Sequence, residues 1–223
     1  KLKSSEYTKD DQASKEALTP DQQKAFLDFV LSDKTSKRHY DDYNILLGTG
    51  LRISEYLGLT IHDIDLVNRV IHVDHQLVLT RGECKITSLK SKSGKRDLYI
   101  SDSIYESIVR KIHTSSKRDN GVEIDGYNIT RRGLFNAALK KATEKYNAQF
   151  PDSPLPHITP HTLRHTFCTN MARGGLDVKS LQYVMGHSDV KVTLAVYTHV
   201  NTAHAMDEMK KIIESSNFGL EAM

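Results

Sequence analysis

The segment Thr159-Pro160-His161-Thr162-Leu163-Arg164-His165-Thr166-Phe167 constrains this chain more than any other. Proline interrupts what precedes it, but its fixed φ suits the first turn of a new helix. Thr159 is a good N-cap, so the pair predicts a helix that starts at Pro160. Three-residue spacing then puts His161 and Arg164 on one face of the first turn. Free backbone N–H groups and the positive end of the helix dipole favour an anion there, and the arrangement suits a phosphate. Whether that helix does chemistry depends on what the rest of the chain brings to it.

The chain has 223 residues, enough for one large domain or two small ones with a buried core. Its net charge is only +3, so any nucleic-acid surface must be a local patch rather than a global field. Cys84 and Cys168 lie far apart with no metal or redox spacing, and both read as reduced thiols in a cytoplasmic protein. No apolar run reaches membrane-spanning length, and no signal peptide opens the chain. A chain that begins at Lys1 reads as a fragment of a longer protein.

Residues 1–17 are polar and aperiodic and read as a linker or frayed end. Thr19-Pro20 opens a helix in the manner of Thr159-Pro160, with Phe26, Leu27, Phe29 and Val30 as its apolar stripe. A second helix runs from Tyr40 to Thr49 and stops at Gly50. In the apolar run that follows, Arg52 and Glu55 are three apart, and an arginine buried there needs a partner. An internal Arg52–Glu55 ion pair would satisfy it.

Residues 69–80, 83–90 and 95–100 alternate apolar and polar side chains and predict a small antiparallel meander. The turn between its last two strands, Lys90-Ser91-Lys92-Ser93-Gly94-Lys95-Arg96, carries four cations. Such a tip is either solvated surface or a probe for a nucleic-acid groove. Ile104, Ile108 and Ile112 mark a helix, and a longer one spans about 130–148 with Arg131, Arg132, Lys140, Lys141 and Lys145 outward. These cations are a solvated face or a set of phosphate contacts. Beyond the opening segment, a helix over 177–185 breaks at Gly186-His187-Ser188, and a short helix to Val196 leads to Tyr197. A last amphipathic helix from Thr202 to about Glu214 carries Met206, Met209, Ile212 and Ile213.

Arg52 in TGLRISE, a lysine in a β-hairpin, His161 and Arg164 in PHTLRHTF, His187 in MGHS and Tyr197 ten residues later form a specific series. This series resembles the tyrosine recombinases, the phage-integrase family, and more particularly the integrases of phages and conjugative transposons. The resemblance covers about residues 19–200. It implies a mainly α fold with a small antiparallel β-sheet (α+β). Residues 1–17 would then be the linker from an N-terminal DNA-binding domain outside this chain. Residues 18–200 would be the catalytic domain, and 201–223 a C-terminal helix and tail exchanged between protomers or packed in cis.

The resemblance also implies the chemistry. Tyr197 would attack a DNA phosphodiester to give a 3′-phosphotyrosyl link and a free 5′-hydroxyl, with neither metal nor other cofactor and no ATP. Arg52 and Arg164 would grip the non-bridging oxygens bidentately, and donors of this kind contribute about 3 kcal/mol each to a transition state. His161 would take the phenolic proton, since a phenol with a reference pKa of about 10 needs help near neutral pH. His187 would hold the phosphate. A lysine would protonate the departing 5′-oxygen. Lys90, which precedes a serine at the start of the turn, is favoured over Lys92. The family's usual proline at the end of the hairpin is Tyr99 here. The implied partners are double-stranded DNA, three further copies in a tetrameric synapse although the free fragment is monomeric, and an accessory directionality factor; no membrane is involved. The implied location is the bacterial cytoplasm, at the nucleoid.

Three other readings compete. His157, His161, His165 and His187 could be a metal-hydrolase set, but HTLRH lacks the glutamate of an HExxH site and its arginine would repel a cation. A DNA-binding module without activity would not need every one of these positions filled. A topoisomerase IB or telomere-resolving enzyme would share the strand-transfer chemistry and differ in what it rejoins.

Overall fold

The computed structural model describes residues 17–80, 83–89, 92–116 and 132–197, with 206, 209, 210, 213 and 214 near the C-terminus. Helix α1 (Pro20–Ser32) starts where Thr19-Pro20 places it. Thr19 Oγ1 accepts from the Gln22 N–H at 3.2 Å, and Gln22 Oε1 accepts from the Thr19 N–H at 3.0 Å. Phe26, Phe29 and Val30 face inward. Helix α2 (Tyr40–Thr49) is largely buried and ends at Gly50, whose φ of +63° lies in the left-handed region. Helix α3 (Ile53–Gly58) is only six residues long, yet five of them are buried.

The strands depart from the expected meander. The 69–80 stretch is two strands, β2 (Val70–Val73) and β3 (His75–Thr80), broken at Asp74. Strand β2 lies between β1 (Ile64–Asp65) and β5 (Arg96–Tyr99) in one antiparallel sheet. Among the described residues, strand β3 pairs only with β4 (Glu83–Ser88), in a separate hairpin with His75 opposite Ser88. The basic stretch therefore does not cap a β4–β5 hairpin; it carries the chain from one sheet to the other. Alternation shows which side chains share a face but not which strand lies alongside, so continuous β-branched patterning hid the change of partner.

Helices α4 (Asp102–Ser116) and α5 (Arg132–Gln149) follow. Ile104 and Ile108 of the first, and Phe135, Leu139, Ala142 and Tyr146 of the second, enter the main core. Lys140 and Lys141 are exposed, whereas Lys145 reaches Asp33 at 3.0 Å and Thr35 at 2.6 Å. Helix α6 (Pro160–Arg173) spans two cores: Leu163 lies in the main one, and Phe167, Cys168 and Ala172 in a smaller one. The smaller core is completed by Leu181 and Met185 of α7 (Val178–Met185) and Val196 of α8 (Val190–Tyr197). Tyr197 closes α8 rather than following it. Of the helix expected over 202–214, the described positions are helical, and Met206, Met209 and Ile213 are exposed; Thr202 and Ile212 lie outside the described residues.

Gly50 joins α2 to the segment that positions Arg52. A Cβ there would lie 2.2 Å from Phe167 Cδ1, in a backbone region that side chains strain. Gly50→Ala is expected to destabilise by about 2–4 kcal/mol, combining left-handed strain with overpacking. The midpoint of urea unfolding measures it.

Candidate active site

At the centre is Glu55, on α3 and fully buried. Its Oε1 accepts from Arg52 Nη1 at 2.6 Å, and its Oε2 accepts from Arg96 Nη2 at 2.9 Å and from the Arg52 backbone N–H at 2.9 Å. Burial works against the charge, but the hydrogen bonds and charge of Arg96, helped by Arg52, hold this carboxyl below its ordinary value. The expected Arg52–Glu55 pair is therefore present, with a second arginine completing it.

Arg96 is the residue that sequence reasoning misplaced. Counted among the cations of an exposed turn, it has a fully buried side chain. It donates to Val184 O at 2.6 Å through Nε and to Gly94 O at 2.9 Å through Nη1. The signal was present in the alternation of β5: Arg96, Leu98 and Ile100 share the buried face, while Asp97 and Tyr99 face out.

Both arginines meet the turn after α7. Arg52 Nη2 donates to Gly186 O at 2.8 Å. Gly186 has φ +61°, and a Cβ on it would lie 2.9 Å from Arg96 Nη1 and 3.4 Å from Arg52 Nη1. Only glycine lets the two guanidiniums pass beneath this turn. Arg164 comes in from α6 and donates to Gly50 O at 2.6 Å and to Met185 O. Burial, then the charges of Arg52 and Arg96, push its guanidinium down to about 9, which leaves it charged at neutral pH.

His187 follows Gly186 and lies beside these cations. Burial first, then Arg164, Arg52 and Arg96, lower its ring to about 4. Its Nδ1 is 3.1 Å from Thr193 Oγ1, which ties the turn to α8. His161, in the first turn of α6, is exposed, while Arg164 three residues on is buried. The free N–H groups expected at this helix start are largely taken: Thr159 Oγ1 accepts from the Thr162 N–H at 3.1 Å and Thr162 Oγ1 from the Thr159 N–H at 3.1 Å. An anion here would be held by side chains more than by the helix terminus.

The hydroxyl of Tyr197 donates to the Leu176 carbonyl, in the connection between α6 and α7. Lys90 lies outside the described residues; of Lys92 the backbone alone is described, in a 3-10 turn over Lys92–Gly94. The structure thus brings Arg52, Arg164 and His187 together, adds Glu55 and Arg96 beneath them, and seats Tyr197 on the helix bonded to His187.

Arginines from the start of α3 and from α6 thus meet at one glycine–histidine turn. The Phage integrase family model matches residues 16–204, and the chain belongs to that family. The transposase from transposon Tn916 of Enterococcus faecalis is 42% identical over 214 residues, which are 91% of this chain and 52% of that protein. The chain therefore spans about half the length of that relative. The Tn1549 transposon integrase, solved in complex with transposon right end DNA, matches with a TM-score of 0.80 at 36% identity, over 89% of this chain and 66% of that one. The catalytic domain of bacteriophage HP1 integrase shares the fold, with a TM-score of 0.53 at 19% identity over 87% and 93%.

Two outcomes follow from the charges. Glu55→Gln leaves the buried guanidinium of Arg96 without its counter-charge and is expected to cost about 3–5 kcal/mol. Because the carboxyl of Glu55 is depressed on folding, its contribution is present above its unfolded value and fades as pH falls through the lower folded value. Urea midpoints of wild type and Glu55→Gln should therefore converge in acid. The ring of His187, lowered on folding, should remain neutral at pH 6 and titrate near 4 in the free protein, as followed by imidazole nitrogen shifts in NMR. An anion placed among the three arginines should raise it.

Proposed function

We propose that this chain is the catalytic part of a site-specific DNA recombinase that integrates or excises a mobile element through a 3′-phosphotyrosyl intermediate. One observation carries the reading. Three arginines and one buried carboxylate leave an excess of positive charge among Arg52, Arg164 and His187, at one end of the helix that bears Tyr197.

In this reading Arg52 and Arg164 hold the non-bridging oxygens of the scissile phosphate, and the neutral His187 ring completes the bed. Tyr197 leaves the Leu176 carbonyl, and its oxygen bonds to phosphorus as the bond to the 5′-oxygen breaks. The phenolic proton passes to His161, and a proton from Lys90, or from Lys92, goes to the departing 5′-oxygen. Rejoining runs the same steps backwards with a new 5′-hydroxyl. The substrate is double-stranded DNA.

Residues 18–200 act as the catalytic domain, 1–17 as the linker from a preceding DNA-binding domain, and 201–223 as the segment exchanged between protomers of a tetramer. The exposed Met206, Met209 and Ile213 support that exchange. An accessory factor would set direction, and the reaction would take place at the nucleoid. The 91% coverage by a transposon transposase supports a mobile element as the substrate's source.

The test is a nicked suicide duplex of transposon-end sequence, with the covalent protein–DNA adduct resolved on a denaturing gel. Wild type should form the adduct in excess EDTA. Tyr197→Phe should abolish it with DNA affinity nearly unchanged. Arg52→Ala and Arg164→Ala should each lower the rate by about 10²-fold or more while shifting affinity little, because their interactions strengthen in the transition state. Affinity falling in proportion to rate would overturn the phosphate-clamp assignment.

A further inference from the structure

Helix α8 turns a hydroxyl inward and leaves larger apolar side chains outside. Thr193 is fully buried, with Val196 beside it on the inward face, whereas Val190, Val192 and Leu194 are exposed. Burying a hydroxyl is unfavourable unless its hydrogen finds an acceptor. Other buried helical threonines of this chain find one in their own helix. Thr49 donates to Ile45 O at 2.6 Å, Thr143 to Leu139 O at 3.0 Å and Thr166 to Thr162 O at 2.8 Å, each four residues back. Thr193 departs from that pattern. Among the described residues its hydroxyl meets a single partner, Nδ1 of His187, at 3.1 Å.

That contact has two possible senses, and burial decides between them. If Nδ1 carried the proton, the hydroxyl would accept it and its own hydrogen would be buried with nothing to bond. If Nδ1 is bare, the hydroxyl donates to it and no polar group is stranded. The second arrangement is the one that buried polar groups require. The ring of His187, lowered to about 4, is neutral near pH 7 and has one donor and one acceptor. With Nδ1 as the acceptor, the proton must sit on Nε2.

The rest of His187 is fixed as well. Its backbone N–H donates to Gln182 O at 3.1 Å, and its carbonyl accepts from Gln182 Nε2 at 3.1 Å. One residue of α7 thus holds the main chain of the turn at both its polar groups. Among the described residues no hydrogen bond is made by Nε2, and the ring is only partly buried. Nε2 is therefore the polar atom of this residue that remains for a ligand. A bare nitrogen there would repel a phosphate oxygen, whereas an N–H binds it.

We propose that Thr193 is a positioning residue: its hydroxyl donates to His187 Nδ1, fixes the tautomer with the proton on Nε2, and so gives the phosphate an N–H donor. This rests on the reading that His187 holds the scissile phosphate.

The experiment has a spectroscopic arm and a kinetic arm. Imidazole nitrogen shifts in NMR of the free chain near neutral pH read the tautomer, with His187 assigned by the signals lost in His187→Ala. Wild type should show a bare Nδ1 and a protonated Nε2. Thr193→Val, which replaces the hydroxyl by a methyl of similar size, should mix the tautomers and draw the two shifts together. Thr193→Ser should restore them. On the nicked suicide duplex, Thr193→Val should form adduct about tenfold more slowly than wild type, with DNA affinity within about twofold. Thr193→Ser should recover most of that rate, and urea midpoints report folding of both variants. The wild-type tautomer remains a test even where Thr193→Val fails to fold. A protonated Nδ1 in wild type, unchanged shifts in Thr193→Val, or equal slowing of the valine and serine variants overturns the positioning role. So does a wild-type rate for Thr193→Val where His187→Ala is slow. If His187→Ala itself forms adduct at the wild-type rate, the reading of His187 falls, and the proposal with it.

Discussion

A single buried carboxylate, Glu55, underlies the geometry of the whole site. An unpaired carboxylate in this position would be far too costly, so its burial obliges at least one cation to be buried with it. Two guanidiniums answer, from Arg52 on the same helix turn and from Arg96 some forty residues on. Each then has donors left over, and these go to main-chain carbonyls of the α7 end, Val184 and Gly186. Those carbonyls fix where His187 stands, because it is the next residue. Arg164 repeats the pattern from α6 by bonding Gly50 and Met185. Among the described residues, three guanidiniums stand against one carboxylate, with Arg96 and Arg164 buried and Arg52 partly exposed. Burial first, and then that excess, depress the ring of His187. In the reading proposed above, a site held in this state before its ligand arrives loses little to reorganisation when a phosphate enters.

The parts of this arrangement that were legible in the sequence are those with local causes. Thr19-Pro20 and Thr159-Pro160 each start a helix, because a cap and a proline act within one turn. Gly50 ends α2 for the reason its position suggests. The Arg52–Glu55 pair was legible because three-residue spacing and an apolar setting leave an arginine few other partners. The parts that were not legible depend on distant partners. Backbone carbonyls carry no sequence signal, so nothing announced that Arg164 would bond Gly50 and Met185. The break at Asp74 was invisible because alternation continues through it. Arg96 is the instructive case. Its alternation with Leu98 and Ile100 marked it as inward, but the surrounding lysines and glycine suggested a solvated turn. Phase along the strand was the better guide, because it follows from backbone geometry, whereas composition is only a correlation.

The helix start that first suggested an anion site also changed in meaning. Thr159 and Thr162 close a reciprocal cap over that turn, so its N–H groups are mostly spoken for. What the turn supplies instead is position. It sends Arg164 inward to the carbonyls and leaves His161 at the exposed rim, a separation of roles that three-residue spacing alone did not reveal.

The two cores give this division a mechanical sense. Ile53, Tyr56 and Leu57 of α3, which flank Glu55, belong to the large core; in the reading proposed above, that core anchors the phosphate bed. Tyr197 belongs to the small core built on α6, α7 and α8. The two cores meet along α6, which sends Leu163 into one and Phe167 into the other, and at Val184, packed against both; the His187–Thr193 contact joins the Gly186–His187 turn to α8. From Thr193 to Tyr197 is one helical turn, about 6 Å of rise. Small cores bury less apolar area and hold their elements less firmly than large ones. In the reading proposed above, the electrostatically costly half of the chemistry thus stands against the larger core. The tyrosine, in the reading proposed above, must leave Leu176 and travel to the phosphate, and it sits where packing is least.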